Sequence, residues 1–448
     1  MEGRTHVPRV SEELCGVCGV CRGACPALVS PDLAAGEAGT VRAALAPHAP
    51  GRGDEPLPPC RRACPLDQDI DRYLGRLAQG DQAGALAVIL EDNPLPSVLG
   101  HVCHHPCQQA CLGGRVGSAP AIRELKRFAA QAPRPAPAPP AGEPRARVAV
   151  VGAGPAGLAA AWELRRAGAA AVVYDAQPVA GGLLAWAIPG FRLPRSALQQ
   201  DLDYVLGHGM ELRLGQALSP GEVKKLRQEF DAVILACGAP RAKAAGLPGE
   251  DLAGVWLGLD LLRAAALGPE PALASPVVVV GGGNVALDAA RWALRAGAEV
   301  TLAYRRDREQ MPAYAEEIEA AGAEGLGFRF RVQPLSLEGD AGGAVSGLKV
   351  AGTAPGAAGP DGRVSFAPQE GEGEIIPAAS VILALGQDSE AASWARGLGL
   401  DGLACDAQGK LAPGLYAAGD LVTGPATVVQ AMAGGVRAAR AVMEEVTS

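Results

Sequence analysis

The chain is poor in aromatic residues, in excess positive charge and in long apolar runs, and each shortage excludes a class of protein. Aromatic residues are 4% of the 448 residues, so aromatic packing contributes little to any core. The formal net charge of −8 argues against nucleic acid as a partner, because phosphate binding requires a basic face. No apolar run approaches the roughly 20 residues of a membrane helix, and the first residues lack the apolar core of a secretory signal. We therefore expect a cytoplasmic protein without membrane insertion.

Cysteine is scarce in most of the chain but concentrated at its start, since nine of the eleven cysteines lie within the first 111 residues. Clustered thiols without a route to an oxidising compartment indicate metal binding rather than disulfides. Cys15, Cys18, Cys21 and Cys25, followed by Pro26, fit the spacing C-x2-C-x2-C-x3-C-P, which is typical of [4Fe–4S] clusters. Zinc is the alternative, although it favours two separated C-x2-C pairs.

A second set of cysteines follows at intervals of one helical turn. A C-x3-C spacing on a helix brings two thiols to the same face. Together the nine cysteines can supply eight ligands for two cubane clusters, with one left over. Inert buried cysteines are the alternative for this set, and the spacing does not show which four cysteines belong together. The set consists of Cys60, Cys64, Cys103, Cys107 and Cys111.

A strand, a glycine turn and a helix follow a proline-rich stretch at 131–146. In the run GAGPAG, which contains Pro155 and Ala156, three glycines have separate tasks: Gly152 allows the tight turn, Gly154 lets a pyrophosphate approach, and Gly157 lets helix and strand pack closely. Asp175 stands at the end of the next strand, where a carboxylate can accept ribose hydroxyls. This pattern predicts a first dinucleotide-binding fold.

The same pattern recurs at 276–306 and predicts a second dinucleotide site. The residues expected to contact the nucleotide there are Gly281, Gly283, Asn284, Val285, Arg305 and Arg306. Tyr304 takes the place of the acid, and the two arginines that follow favour the 2′-phosphate of NADP(H). A solvated loop is the other interpretation of these arginines, and Asp307 keeps NAD(H) open.

Two further segments resemble the flavin-contacting segments of glutathione-reductase-like flavoproteins: GGLLAWAIPGFRLP at 181–194 and LYAAGDLVTGPATVVQAMAGG at 415–435. The resemblance implies that the first nucleotide is FAD. Asp420 would then bind the ribityl and phosphate region, and the helix beginning near Thr427 would point its positive end at the flavin ring. The implied contacts are Gly182, Leu183, Ile188, Gly419, Asp420, Thr427 and Val428.

The motifs together, from CRRACP through GGGNVALDAAR to AAGDLVTGPATVVQA, resemble the small (β) subunit of NADPH glutamate synthase. The N-terminal half of dihydropyrimidine dehydrogenase and the large subunit of NADH-dependent ferredoxin:NADP oxidoreductases are similar. The resemblance implies FAD, NADP(H) and cysteine-ligated [4Fe–4S] clusters. It also implies a hetero-oligomer in which the chain exchanges electrons with a partner redox subunit or a ferredoxin. The chain departs from that family in lacking a C-x2-C pair before Cys60 and in the sequence Trp186-Ala187-Ile188-Pro189.

We therefore expect an α/β protein with two Rossmann-like, glutathione-reductase-like dinucleotide domains after a helical iron–sulfur domain. The expected parts are a cysteine motif and tether (1–59), a helical iron–sulfur domain with linker (60–146), an FAD-binding domain in two parts (147–270 and 376–448) and an NAD(P)-binding domain (271–375). Hydride transfer is expected at flavin N5, with no catalytic side chain assigned. A relay or scaffold subunit is the alternative. A disulfide reductase is not expected, because the sequence lacks the reactive cysteine pair that such an enzyme places beside its flavin.

Overall fold

The computed structural model describes residues 57–116, 118–137, 142–358, 364–369 and 373–447, so the cysteine motif at 15–25 lies outside the described residues. The described chain divides into two compact units. The first contains the described residues up to Gly181, Arg192–Gly238 and those from Trp394 onward. The second contains Gly182–Phe191 and Ala239–Ser393.

The first unit begins with a bundle of short helices whose apolar faces are buried. Glycine and proline set the helix ends: Gly80, with a φ of 77°, separates two helices, and Pro65 follows the end of the first. Ile70, Tyr73 and Leu74 are buried on one face of α2. The helices are α1 Pro59–Ala63, α2 Ile70–Ala78, α3 Gln82–Ile89, α4 Pro96–Val102, α5 Pro106–Gln109, α6 Gly113–Val116 and α7 Ile122–Ala129.

A six-stranded sheet forms the rest of the first unit. Its strand order is β16-β17-β4-β1-β2-β3, and all neighbouring pairs are parallel except β16 with β17. The central strands are buried apolar runs because helices cover both faces of a parallel sheet. The strands are β1 Arg147–Val151, β2 Ala170–Tyr174, β3 Glu211–Arg213, β4 Ala232–Leu235, β16 Lys410–Ala412 and β17 Leu415–Ala417. Its helices are α8 Pro155–Arg166, α10 Arg195–Leu206, α11 Pro220–Glu229, α16 Asp420–Thr423 and α17 Val428–Thr447.

The second unit repeats this architecture with a five-stranded parallel sheet of order β6-β14-β7-β8-β9. The four valines of β7 are all buried between the helices. The strands are β6 Val255–Leu257, β7 Val277–Val280, β8 Val300–Tyr304, β9 Gly327–Phe330 and β14 Ser380–Leu383. The helices are α9 Leu183–Trp186, α12 Gly258–Leu267, α13 Asn284–Arg295 and α14 Ala315–Ala323, while α15 Ala391–Leu398 runs from this unit into the first.

A four-stranded antiparallel sheet follows β9 in the second unit. Its central strand β11 pairs with β10, β12 and β13. A short pair of strands, β5 with β15, completes the unit. The strands are β5 Arg241–Ala242, β10 Val332–Gly339, β11 Val345–Ala358, β12 Val364–Pro368, β13 Glu374–Pro377 and β15 Gln387–Asp388.

The expected fold class is confirmed: two Rossmann-like folds follow a helical segment. The helices at 57–130 and the first sheet belong to the same unit, so the proline-rich stretch between them interrupts secondary structure without separating two bodies. The division into five parts stays a prediction. Within the described ranges, no helix is both long enough and apolar enough to cross a membrane.

Candidate functional site

The first glycine turn connects β1 to α8 in the conformation that its sequence predicts. Gly152 has a φ of 118°, and a Cβ atom there would lie 2.2 Å from the carbonyl oxygen of Ala236. A Cβ on Gly157 would lie 1.8 Å from the carbonyl oxygen of Gly152, so the helix can approach the strand only without a side chain. α8 begins at Pro155. Proline suits the first position of a helix because the N–H that it lacks would have no partner within the helix there.

Asp175 directly follows β2 and joins this turn. Its Oδ2 accepts a hydrogen bond of 2.6 Å from the backbone N–H of Ala153, and its Oδ1 accepts one of 2.7 Å from Gln177. Burial raises the pKa of the Asp175 carboxyl, while these two donors oppose the shift. The structure thus places the predicted acid against the glycine turn.

The last segment of the chain packs against the same turn. A Cβ on Gly435 of α17 would lie 2.0 Å from the carbonyl oxygen of Ala156, and one on Gly419 would lie 2.8 Å from the Ala156 Cβ. The hydroxyl of Thr427 accepts a hydrogen bond of 3.4 Å from the N–H of Gln430 at the start of α17. The predicted residues at 152–157, 175 and 419–428 therefore come together at one edge of the first sheet.

Asp420 is a titratable group in this region whose pKa is raised. Burial raises the pKa of its carboxyl to about 6, and the hydrogen bond of 3.2 Å from the N–H of Ala426 opposes this only in part. Gly182, Leu183 and Ile188 lie in the second unit, where α9 packs on α12 through Trp186 and Leu259.

The second glycine turn, in the second unit, leaves an open space at one position. Gly281 has a φ of 141°, and a Cβ there would lie 2.4 Å from the carbonyl oxygen of Ala384. A Cβ on Gly282 would meet the Tyr304 ring at 2.4 Å, whereas a Cβ on Gly283 would meet no atom within 4 Å. The space beside Gly283 suits the close approach of a phosphate at the start of α13.

The basic residues predicted to read the nucleotide follow β8 directly. Arg305 is exposed, and its carbonyl oxygen accepts a hydrogen bond of 2.7 Å from the Thr353 hydroxyl. Arg306 is half-buried, and its Nε has no hydrogen-bond partner among the described residues. Asn284 accepts a hydrogen bond of 3.2 Å from the N–H of Tyr314, and Val285 packs beside Trp186.

The five described cysteines of the second set lie on the short helices and at their ends. Cys60 is in α1 and Cys64 ends it, Cys103 ends α4, Cys107 is in α5 and Cys111 follows α5. The chain turns between Cys103 and Cys107, because His105 has a left-handed φ of 44°. The C-x3-C spacing therefore corresponds to one helix around Cys60 but to a turn between two helices at Cys103.

Burial raises the pKa of the Cys60, Cys64 and Cys107 thiols, which favours their protonated forms. Burial is the main cause that raises the pKa of Cys60 to about 12 and that of Cys107 to about 11, and neighbouring thiols add to both shifts. The ammonium of Lys126, a lysine with 3% exposure, opposes the shift at Cys64 and Cys107. Any metal centre here must therefore displace protons from desolvated thiols.

The hydroxyl of Tyr73 tests whether these residues fit a cluster. Tyr73 is fully buried, and its hydroxyl has no hydrogen-bond partner in the described ranges. Burial raises its pKa well above the usual value, with contributions from the thiols of Cys107, Cys64, Cys60 and Cys103. A buried donor without a partner and surrounded by thiols fits an iron–sulfur cluster, whose sulfurs can accept hydrogen bonds.

Within the described residues, no group of three or more Cys, His, Asp or Glu side chains is arranged to hold one metal ion. A cubane makes another demand, because each of its four thiolates binds a different iron and the sulfurs need not converge on one point.

A buried ion pair connects the cysteine-bearing helices to the first sheet's helices. The carboxylate of Asp201 in α10 accepts hydrogen bonds of 3.2 and 2.7 Å from the N–H groups of Ser97 and Val98 at the start of α4. It also pairs with Arg134, which comes from the proline-rich stretch. The contact joins residues more than 100 positions apart, and the local sequence gave no signal for it.

The sequence of this chain matches two protein families. The family described as pyridine nucleotide-disulphide oxidoreductase matches residues 146–435, and the one described as dihydropyrimidine dehydrogenase domain II, 4Fe-4S cluster, matches residues 56–136. The glutamate synthase [NADPH] small chain of Escherichia coli is 33% identical over 421 residues, which cover 86% of this chain and 88% of that protein.

Two other relatives are longer than this chain. The NADP(+)-dependent formate dehydrogenase subunit beta of Moorella thermoacetica is 36% identical over 85% of this chain and 59% of its own length. The NADPH-Fe(3+) oxidoreductase subunit beta of Geobacter sulfurreducens is 37% identical over 87% and 64%. The chain thus spans about three fifths of both relatives. Among solved structures, FprA of Mycobacterium tuberculosis in complex with NADPH has a TM-score of 0.57 at 20% identity, covering 68% of this chain and 85% of that one, and it shares the fold.

Proposed function

Because this chain belongs to the pyridine nucleotide-disulphide oxidoreductase family and is a relative of glutamate synthase small chains, we propose that it is an NADPH-dependent flavin and iron–sulfur oxidoreductase subunit. It moves electrons between NADP(H), FAD and [4Fe–4S] clusters and exchanges them with a partner redox subunit or a ferredoxin. A bound FAD would supply a hydride-accepting position at N5 and the capacity to pass electrons on one at a time.

One observation carries the proposal: the buried thiols and the first glycine turn belong to the same compact unit. Electron transfer between a flavin and a cluster requires a fixed separation, and a single packed body supplies it. The buried pair of Asp201 and Arg134, with the two backbone donors of α4, ties the two parts together.

The proposed flavin site consists of residues that meet at the edge of the first sheet. The N–H groups at the start of α8 would bind the pyrophosphate of the dinucleotide. Asp175 stands ready to accept ribose hydroxyls, and Asp420 lies in a desolvated position at the start of α16. α17, which approaches the turn through Gly435, adds the positive end of its helix dipole.

The mutual influence of the thiols supports a grouping of the cluster ligands. Cys64 and Cys107 each interact with Cys103, and Cys107 also with Cys64, so these three belong to one proposed cluster. Among the thiols, Cys60 interacts most strongly with Cys111, and the two form the start of a second cluster. The remaining ligands would come from Cys15, Cys18, Cys21 and Cys25, which lie outside the described residues.

NADP(H) is the proposed nucleotide of the second unit. Tyr304 stands where a carboxylate would bind free ribose hydroxyls, and its hydroxyl donates a hydrogen bond of 2.8 Å to the carbonyl of Gln310. Arg305 and Arg306 follow it, and guanidinium groups bind phosphate with charge-assisted hydrogen bonds. The buried Nε of Arg306 without a described partner supports a ligand that accepts hydrogen bonds there.

Anaerobic reduction tests the function. We expect NADPH to bleach the flavin absorbance of the purified protein within one turnover and to produce the EPR signal of reduced clusters. We expect NADPH to be used in preference to NADH in the reduction of an artificial dye. Flavin bleaching without cluster reduction would contradict the electron path, and preference for NADH would contradict the nucleotide assignment.

A relay or scaffold subunit is the second candidate, and the same experiment separates it. Such a protein would keep flavin and clusters but would not be reduced by either nucleotide. The partner is tested by purification from the native host, where we expect a hetero-oligomer with a second redox subunit.

A further inference from the structure

Asp307 directly follows the two arginines proposed to bind the 2′-phosphate, and its carboxylate is already engaged. Arg331 binds it with a two-pronged contact, in which Nε lies 2.6 Å from Oδ1 and one terminal nitrogen lies 3.1 Å from Oδ2. Gln310 holds the Asp307 backbone, because its N–H donates to the Asp307 carbonyl at 3.1 Å and its Oε1 accepts from the Asp307 N–H at 3.1 Å. Asp307 is therefore oriented by two neighbours.

The backbone that holds Arg331 is itself unusual. Arg331 is the single residue between β9 and β10, and it has a left-handed φ of 59°. A residue other than glycine adopts that conformation only when its surroundings fix it. Here the N–H of Arg331 donates to the carbonyl of Arg306 at 3.3 Å, and its carbonyl accepts from the N–H of Thr353 at 2.8 Å.

Thr353 completes this arrangement around the segment that follows β8. Its hydroxyl donates to the carbonyl of Arg305, while its N–H donates to Arg331. Thr353 of β11 thus holds Arg305 and Arg331, and the N–H of Arg331 in turn holds the backbone of Arg306. This local network lies wholly within the second unit.

We propose that Arg331 is a specificity-determining residue that selects NADP(H) by binding Asp307. This inference rests on the proposed nucleotide site and names a residue that sets the preference of that site for NADP(H) over NAD(H). A free carboxylate at Asp307 would accept the two ribose hydroxyls of NAD(H) and repel a 2′-phosphate. Arg331 occupies both oxygens of that carboxylate and offsets its charge, so the guanidinium groups of Arg305 and Arg306 determine the preference.

The test measures the dissociation constants of NADPH and NADH by fluorescence titration of the oxidised holoprotein. Arg331→Asn is the main variant, because asparagine tolerates the left-handed backbone that Arg331 adopts. We expect it to lower the NADPH-to-NADH preference by about 3- to 20-fold, a range set by one partly exposed charge-assisted contact. Adding Asp307→Asn to this variant should restore most of the preference, because the unmasked charge is then absent.

Arg329→Ala provides the matched control. Arg329 lies two positions earlier on β9, is similarly exposed and pairs with Glu374 rather than Asp307. Arg329→Ala removes one positive charge, as Arg331→Asn does. A general loss of attraction for phosphate would therefore appear equally in these two variants. An equal loss of preference in the two variants, or no restoration by Asp307→Asn, overturns the proposal.

The wild-type measurement keeps the two claims distinct. A wild-type protein that prefers NADH contradicts the proposed nucleotide. If Arg331→Asn then shifts the preference still further toward NADH, the effect of Arg331 on Asp307 stands by itself. Unchanged folding of each variant, checked by its thermal midpoint and flavin content, confirms that the comparison concerns binding.

Discussion

Gly282 and Gly283 are neighbours in the second glycine turn, but their surroundings differ. A side chain at Gly282 collides with the Tyr304 ring, while one at Gly283 enters open space. We expect Gly283→Val to keep its thermal midpoint and FAD content but to weaken NADPH binding by at least about tenfold, because it blocks charge-assisted hydrogen bonds to the phosphates.

Gly282→Val is the contrasting control, since it should lower the thermal midpoint by displacing Tyr304. Titration with NADPH and a thermal melt of both variants make the comparison. A Gly283→Val protein that binds NADPH like wild type would show that the pyrophosphate does not approach this turn.

Asp420 is a residue whose burial destabilises the fold at neutral pH. Its folded pKa of about 6 exceeds the ordinary value of 3.8 for an aspartate, so the folded state binds its proton more tightly than the unfolded state. The free energy of unfolding therefore falls as the pH rises from about 4 to about 6, and the loss is complete above that range. The shift corresponds to a loss of at most about 3 kcal/mol.

We expect Asp420→Asn to remove this pH dependence in the flavin-free protein. Denaturant unfolding between pH 4 and pH 8 should show the variant gaining stability relative to wild type, by about 1–3 kcal/mol at the alkaline end. Asp401→Asn, at an exposed position, should follow wild type throughout. Parallel curves for Asp420→Asn and wild type would contradict the raised pKa. A residue retained despite such a penalty is expected where a ligand uses it.

At the scale of elements, α4 starts inside the protein and depends on a side chain from another helix. Its N–H groups at Ser97 and Val98 donate to Asp201, which is fully buried beside Arg134. We expect Asp201→Ala to destabilise the protein by about 3–5 kcal/mol, because it leaves the arginine without its carboxylate partner and α4 without its acceptor.

Asp203→Ala is the matched control on the same helix, since Asp203 is exposed and its side chain accepts a hydrogen bond from the Gln199 amide. Denaturant unfolding of both variants tests the difference, which should exceed about 2 kcal/mol. Equal effects of the two substitutions would show that the buried carboxylate does not hold α4. Reduced cluster content in Asp201→Ala, with flavin retained, is the expected second readout.

Local patterns predicted the elements that carry the nucleotide turns, but not the contacts between distant elements. The run RVAVVGAGPAG contains its own strand, turn and helix signals, and the structure follows them from Arg147 to Arg166. The helical period of 60–130 likewise predicted helices, although the left-handed His105 breaks the helix expected around Cys103 and Cys107. The pairing of Arg331 with Asp307 depends on a corner between two strands, which no local spacing encodes.

At the scale of the whole molecule, each of the two units contains its own proposed nucleotide site. The first contains the described thiols and the FAD turn, and the second contains the NADP(H) turn with its basic residues. The internal repeat predicted this duplication because each copy includes its own glycine turn. The sequence could not group the cysteines, since their neighbours depend on how the short helices pack.

We expect the whole set of nine clustered cysteines to hold two clusters. Anaerobically purified protein should contain about eight iron and eight acid-labile sulfide per chain, from two cubanes. Replacing Cys64, Cys103 and Cys107 by serine should leave about four of each, because these thiols belong to one proposed cluster. Replacing Cys15, Cys18, Cys21 and Cys25 by serine should lower the iron content below about four, since both proposed clusters take their remaining ligands from this set.

The control for these iron counts is a variant in which Cys237 and Cys405 are replaced by serine. Both lie outside the cysteine-rich helices, and neither is assigned to a cluster, so this protein should keep the full iron and sulfide content. Full iron retention after loss of the four cysteines at 15–25 would show that Cys60 and Cys111 take their remaining ligands from elsewhere. Zinc in place of iron in the wild-type protein would contradict both clusters at once, because zinc carries no electrons and the proposed path requires them.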